Sequence, residues 1–488
     1  TSNGDWTEGS EQLGKVLALH GGDREVRGRA IVALGSLLLL RGELEEADRC
    51  FGEARELAAA SGDDVNLARA LLYSGYVAFR HSHLAEAETL WEDALTRAQS
   101  GGDQRLAASV LRSLAIVAGT EGRQDRAGEL LDQAIGLARE AGDDQLLRLL
   151  FGSSAEMNIW LGHYQVAEKA YGDALSLAAE IGDFSARPLL LAELGWVAIL
   201  RGDPPTAQRL AIEAAELAED LGTPRVLAHS LRLGGEAMMR LGELTAASES
   251  LERALTVAES LNAAAEVAGV RCSQACLALE FQDWDLARAH AREAIETSGL
   301  AHTMRRTTPQ WVLGMVSLLE GEIGSAGEQF LESLNAAEER GAPRHEAVFC
   351  LGLAAVQTAR GRSREAASLC KRALDLWVNL EDPLGVADTM VALAELGAKT
   401  EPEGAAELLG AAESLRERAG AKATPREAGQ VAAISASLDL PAFEGGTAGA
   451  EADEAEALAE ARRIISMMEE ADSAGEKRDF PVADTGNQ

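Results

Sequence analysis

The stretch RGELEEADRCFGEARELAAASGDD, residues 41–64, sets the pattern for most of this chain. Gly42 and Gly62 stand twenty residues apart, with Ala47, Phe51 and Ala54 spaced i, i+4, i+7 between them. That spacing is one face of an α-helix turned toward its neighbours. Twenty residues make a helix of about four turns plus a tight turn. Glycine is what a helix end needs where the chain goes left-handed. Gly102, Gly122, Gly142, Gly162, Gly182, Gly202, Gly222 and Gly242 keep the beat, Gly22 extends it backward, and Gly321, Gly341 and Gly361 resume it after a one-residue slip. It falters at Ser82, Asn262, Gln282 and Glu381. Two beats form a helical hairpin of forty residues.

Two columns within that unit hold small residues. Seven before each mid-unit turn stand Gly35, Gly75, Ala115, Ala155, Gly195, Gly235, Ala275, Gly314 and Ala354. Five after it stand Ala47, Ala87, Ala127, Ala167, Ala207, Ala247, Ala287, Ala326 and Ala366. Small side chains at these points let the two helices of a hairpin approach closely. Four residues further on, Phe51, Trp91, Leu131, Tyr171, Leu251 and Phe330 supply bulk. Asp63, Asp103, Asp143 and Asp183 follow inter-unit glycines and are expected to cap the next helix. Pro204, Pro205, Pro224, Pro343 and Pro383 sit where a helix start tolerates proline.

These offsets resemble the tetratricopeptide repeat in an elongated form, forty residues rather than the family's thirty-four. The family's tyrosine late in the first helix is replaced by Leu38, Ala78, Ala118 and Asn158. The resemblance implies an all-α, right-handed superhelical solenoid. The expected organisation is an N-terminal half-repeat over 1–22, nine repeats over 23–382, and a degenerate terminal hairpin over 383–420. An acidic capping helix and a polar tail follow over 421–488. The imperfect beat around TSGLAHTMRRTTPQW, residues 297–311, predicts a local change of curvature.

Composition narrows the function classes. Of 488 residues 47% are hydrophobic but only 4% aromatic, so alanine and leucine do most of the packing. A formal net charge of −34 repels phosphate backbones and anionic lipid, which makes nucleic acid and membranes poor default partners. Five scattered cysteines fit a reduced, cytoplasmic setting. No apolar run approaches a membrane span, and no charged-then-apolar leader is visible. The start at Thr1-Ser2, without methionine, reads as a piece of a longer protein.

Catalytic motifs fail on inspection. Gly9–Val16 lacks the hydroxyl that a phosphate-binding loop needs after Lys15. His345-Glu346 opens like a zinc-protease helix, but Phe349 stands where the second histidine belongs. Cys272 and Cys276 lie one helical turn apart without a second ligand pair. His81-Ser-His83 falls in a turn. The expectation is a non-catalytic protein with no cofactor and no bound metal.

What remains is the face lined by the first helix of each hairpin, the concave groove of the tetratricopeptide family. Carrying the family's groove positions across gives Arg69, Tyr76, Phe79 and Arg80 in the second repeat, Arg112 in the third, and Glu156 and Trp160 in the fourth. Trp196 follows in the fifth, His229, Arg232, Glu236, Met239 and Arg240 in the sixth, and Trp311 and Met315 in the eighth. Inward arginines with aromatic and methionine neighbours suit an acidic or amphipathic peptide, a partner protein, or a small anion with an apolar body.

A narrower resemblance comes from the ends. WTEGSEQLGKVLALHGGD, residues 6–23, and GAAELLGAAESLRERAG, residues 404–420, are similar to the opening and closing hairpins of the sensor region in ATP-dependent LuxR-type and SARP-type bacterial regulators. That likeness implies a sensor or interaction module of a signalling or transcriptional regulator, cut from an N-terminal nucleotide-binding domain. A free-standing scaffold for complex assembly is the alternative.

Overall fold

The computed structural model describes residues 9, 12–14, 17, 24–298, 309–438 and 454–475, and every regular element among them is helical. The first four repeats are α1 (Arg24–Arg41) with α2 (Leu44–Ser61), α3 (Asp64–Arg80) with α4 (Leu84–Ser100), α5 (Gln104–Thr120) with α6 (Gln124–Glu140), and α7 (Asp144–Trp160) with α8 (Tyr164–Glu180). Next come α9 (Arg187–Leu200) with α10 (Pro204–Asp220), α11 (Pro224–Arg240) with α12 (Leu244–Ser260), and α13 (Ala264–Glu280) with α14 (Trp284–Ser298). The last repeats are α15 (Pro309–Leu319) with α16 (Ile323–Glu339), and α17 (Pro343–Ala359) with α18 (Ser363–Asn379). A terminal hairpin, α19 (Pro383–Gly397) with α20 (Pro402–Arg418), precedes α21 (Pro425–Ser437) and α22 (Glu454–Gly475). The segment 299–308, on which the expected change of curvature rests, lies outside the described residues, as do most of 1–22 and the polar tail after 475. The chain forms two compact units, Thr1–Asn158 with Lys169–Gly182, and Ile159–Glu168 with Asp183–Gln488.

Every beat within the described residues is a left-handed residue. Gly42 has φ 83°, Gly122 77° and Gly361 73°. Where glycine is missing the conformation persists: φ is 62° at Ser82, 49° at Asn262, 59° at Gln282 and 54° at Glu381. The reason is the turn's own hydrogen bonding. At Gly122 the chain closes back as Gly122 N to Gly119 O, 3.2 Å, and Arg123 N to Ala118 O, 2.8 Å, which satisfies the last carbonyls of the helix.

Asp63, Asp103 and Asp143 cap as their positions predict, accepting from Asn66 N at 3.0 Å, Leu106 N at 2.9 Å and Leu146 N at 3.0 Å. Asp183 differs. Pro188 has no N–H and is tolerated only in a first helical turn, so α9 starts late, after a 3-10 turn over Phe184–Ala186. Asp183 there accepts from the Ser185 hydroxyl at 2.7 Å.

Small and bulky columns meet face to face inside each hairpin. A Cβ on Gly35 would stand 2.6 Å from the Phe51 ring, and one on Gly314 2.5 Å from Phe330. Phe51, Trp91, Leu251 and Phe330 are buried as a result, as are the alanines five after each turn. At the far end α22 lies against α18, α19 and α20. It buries Ala461, Ile464 and Ile465, and Arg463 Nη2 meets Glu401 Oε2 at 3.2 Å.

The second unit also closes on itself between turns distant in sequence. Leu380 packs on Gly162, and Pro383 would lie 3.0 Å from a Cβ on Gly202. Arg344 Nη1 donates to Asp382 Oδ2 at 2.6 Å and to the Leu200 carbonyl at 3.3 Å. The Lys422 amide donates to the Arg240 carbonyl at 2.9 Å. Turns at the two ends of the second unit are thus tied together.

Candidate functional site

The positions expected to line the groove recur at fixed places on each first helix, and each unit is described by itself. In the first unit, Tyr76 and Phe79 are half-buried against Trp91, with ring centroids 5.4 and 6.1 Å from it. The Tyr76 hydroxyl accepts from Ser113 Oγ at 2.8 Å, which fixes the ring between α3 and α5. Arg112 Nε donates to Ser153 Oγ at 2.8 Å. Arg69 approaches Asp103 only to 3.7 Å and stays 38% exposed. Arg80 is exposed and has no ion partner among the described residues. Glu156 is exposed. This face therefore offers two accessible guanidinium groups beside fixed aromatic rings.

In the second unit the same positions are drawn into a polar chain. His229 Nε2 lies 3.1 Å from Glu193 Oε1, and its Nδ1 lies 3.3 Å from Arg232 Nη2. A neutral ring protonated on Nε2 satisfies both contacts, donating to the carboxylate and accepting from the guanidinium. Arg232 pairs with Glu236, and Glu236 Oε1 also accepts from Ser273 Oγ at 2.6 Å. Arg232 and Glu236 are buried. Gly269 lies beside the Arg232 side chain, where a Cβ would make ordinary van der Waals contact at 3.5 Å.

The apolar members divide. Trp196 is buried, whereas Trp160, Met239, Trp311 and Met315 are half-buried. Met239 packs with Leu231, Leu244 and Leu251, and Trp311 and Met315 pack with Val312 and Val316. Arg240 is half-buried, its carbonyl taken by Lys422. Cys272 and Cys276 occupy groove positions of the seventh repeat. Hydrogen bonding to Cys272, then burial, pushes the Cys276 thiol well above the usual range. No group of three or more metal-type side chains converges among the described residues.

Sequence reading did not foresee Glu193 or Ser273, which join the chain from beside the groove positions. It also did not foresee the long-range ties through Arg344, Asp382 and Lys422, which no repeat period encodes.

No protein-family model matches the chain, and no curated protein matches it in sequence. Solved structures do. A Rap protein complexed with competence and sporulation factor superposes with a TM-score of 0.53 at 14% identity, over 72% of this chain and 98% of that one. The fold is that of a tetratricopeptide-type helical-repeat protein. Apo RapI matches with a TM-score of 0.47 at 16% identity, over 55% of this chain and 97% of its own. A signal-transduction ATPase with a tetratricopeptide-repeat sensor, from Pyrococcus horikoshii, matches at 0.41 and 16%, over 68% of this chain and 52% of that one.

Proposed function

We propose that this chain is a non-catalytic binding module whose inner helix face takes a peptide, a partner protein or a small effector. The observation that carries the reading is the first unit's face, where Arg69 and Arg80 stand accessible beside Tyr76 and Phe79. Guanidinium groups recognise carboxylates bidentately, and fixed rings give anchoring area at low entropic cost. A Rap protein of the same fold was solved in complex with competence and sporulation factor, which supports a binding role for such a chain.

The similarity of residues 6–23 and 404–420 to bacterial regulator sensors supports a place in a signalling or transcriptional regulator, in the cytoplasm. In that role ligand binding shifts the population of repeat packings, and an attached switch domain reads the shift. The test is to select peptides from a random library on the full chain. The winners are then titrated onto it and onto an Arg69→Ala/Arg80→Ala variant. Acidic sequences carrying apolar side chains, bound about tenfold more weakly by the variant, support the reading. Basic sequences, or equal affinity for both proteins, contradict it.

A further inference from the structure

The loop after the terminal hairpin leads into α21, which lies against α13 and α19, the first helices of the seventh repeat and of the terminal hairpin. The side chains on α13 and α19 that bond to this helix hold positions expected to line the groove. Arg426 Nε donates to Glu280 Oε1 at 3.1 Å, and Gln430 Nε2 donates to Glu395 Oε2 at 3.0 Å. Glu280 stands where Arg80, Trp160 and Arg240 stand in their own repeats. Glu395 stands where Tyr76, Trp196 and Glu236 do, and Asp388 where Arg69 and His229 do. Thr424 starts the helix with a reciprocal cap: its amide donates to Glu427 Oε2 at 3.0 Å, and its hydroxyl accepts from Glu427 N at 3.4 Å.

The helix is held by its polar contacts. Ile434 is the one buried residue between Pro425 and Ser437. The Arg426–Glu280 pair is shielded, with side chains 18% and 10% exposed, whereas the Gln430–Glu395 bond is exposed and contributes little, so a single ion pair and the tether hold α21 in place. A short tether supplies an effective concentration of about millimolar. The surface beneath is acidic and not fully satisfied: Glu280 Oε2 is buried with no hydrogen-bond partner. Asp388 pairs with Arg416 at 2.7 Å, and 39% of its side chain stays exposed.

We infer that α21 is an internal ligand of the groove. The surface it covers, formed by Arg240, Glu280, Asp388 and Glu395, is then a docking site for a partner helix with a cationic residue on its first turn. The inference rests on the groove reading above and adds to it the occupant that a partner must displace. A partner matching Arg426 and bringing a second donor for Glu280 Oε2 competes best.

The experiment uses a fluorescein-labelled peptide of residues 421–438 and fluorescence anisotropy. It is titrated onto the wild-type chain, Arg426→Glu, and the double exchange Arg426→Glu/Glu280→Arg. The Arg426→Glu chain should bind it at least about tenfold more tightly than wild type, because its own helix has left the site. The double exchange should return binding to the wild-type level, since the internal pair is rebuilt with reversed charges. Equal binding to wild type and Arg426→Glu, or binding to neither, overturns the inference. Should Arg426→Glu fail to fold by circular dichroism, Thr424→Ala releases the cap without a charge change and must show the same gain. A failure here leaves the Arg69 and Arg80 titration unaffected, so the two readings fall separately.

Discussion

Gly75 and Trp91 are a matched pair: a Cβ on Gly75 would stand inside the indole, whose Nε1 donates to the Leu72 carbonyl at 2.8 Å. Replacing Gly75 with alanine forces the ring or the helix aside and is expected to cost about 1–3 kcal/mol. Gly152, on α7, has nothing within 4 Å of its Cβ position. Gly152→Ala is therefore expected to be neutral or to stabilise by up to about 1 kcal/mol. Chemical denaturation of the two variants checks the contrast.

Gln282 holds the left-handed turn at φ 59° that glycines hold elsewhere. Gln282→Gly should stabilise by about 0.5–1 kcal/mol, relieving the Cβ strain minus the entropy glycine adds to the unfolded chain. Gly122→Ala, at φ 77°, should destabilise by about 1 kcal/mol. Melting temperatures of both variants decide this.

Arg344 and Asp382 form an ion pair with side chains 17% and 2% exposed. Arg344→Ala leaves the buried carboxylate without its cation and loses the donor to the Leu200 carbonyl, at about 2–4 kcal/mol. Arg126→Ala, which breaks a pair with side chains 52% and 65% exposed, should change stability by less than about 0.5 kcal/mol. Denaturant midpoints of the two variants give the comparison.

These cases separate what the residues disclosed from what they did not. Gly75 with Trp91, Gly35 with Phe51 and the left-handed turns lie within one forty-residue unit, so a period in the sequence carries them. Even the exceptions followed, since Ser82 and Gln282 take the glycine's conformation because the surrounding hydrogen bonds demand it. Arg344 meeting Leu200 and Arg426 meeting Glu280 depend on the small rotation accumulated over several repeats, which no single repeat contains. The positions expected to line the groove recur in register, but whether each is exposed or buried was not legible. Arg69 stays accessible, while Arg232, at the next expected groove position along its helix in another repeat, is buried against Glu236 and His229. Those partners are held in turn by Ser273 and Glu193 on neighbouring helices rather than by their own repeat.

His345 gives a pH dependence. Burial, then the neighbouring Arg344 and Arg340, lower its pKa to about 4 from an ordinary 6.5. Above pH 6.5 both folded and unfolded chains hold it neutral, and it contributes nothing. As pH falls from 6.5 toward 4 the unfolded chain binds the proton first, so stability drops by up to about 1.4 kcal/mol per unit. His345→Gln should flatten that part of the stability–pH curve, measured by denaturant unfolding between pH 7 and 4.

The most direct measurement maps where a partner touches the chain. A photo-reactive residue is placed at Arg80, exposed on α3 at a position expected to face the groove, or at Glu92, exposed on α4. Each protein is irradiated with the tightest acidic peptide from the library selection, and adducts are located by mass spectrometry. The account predicts a single peptide adduct from position 80, lost on Arg69→Ala, and none from position 92. Equal adducts from both positions, or adducts from position 92 alone, would contradict the inner face as the binding surface.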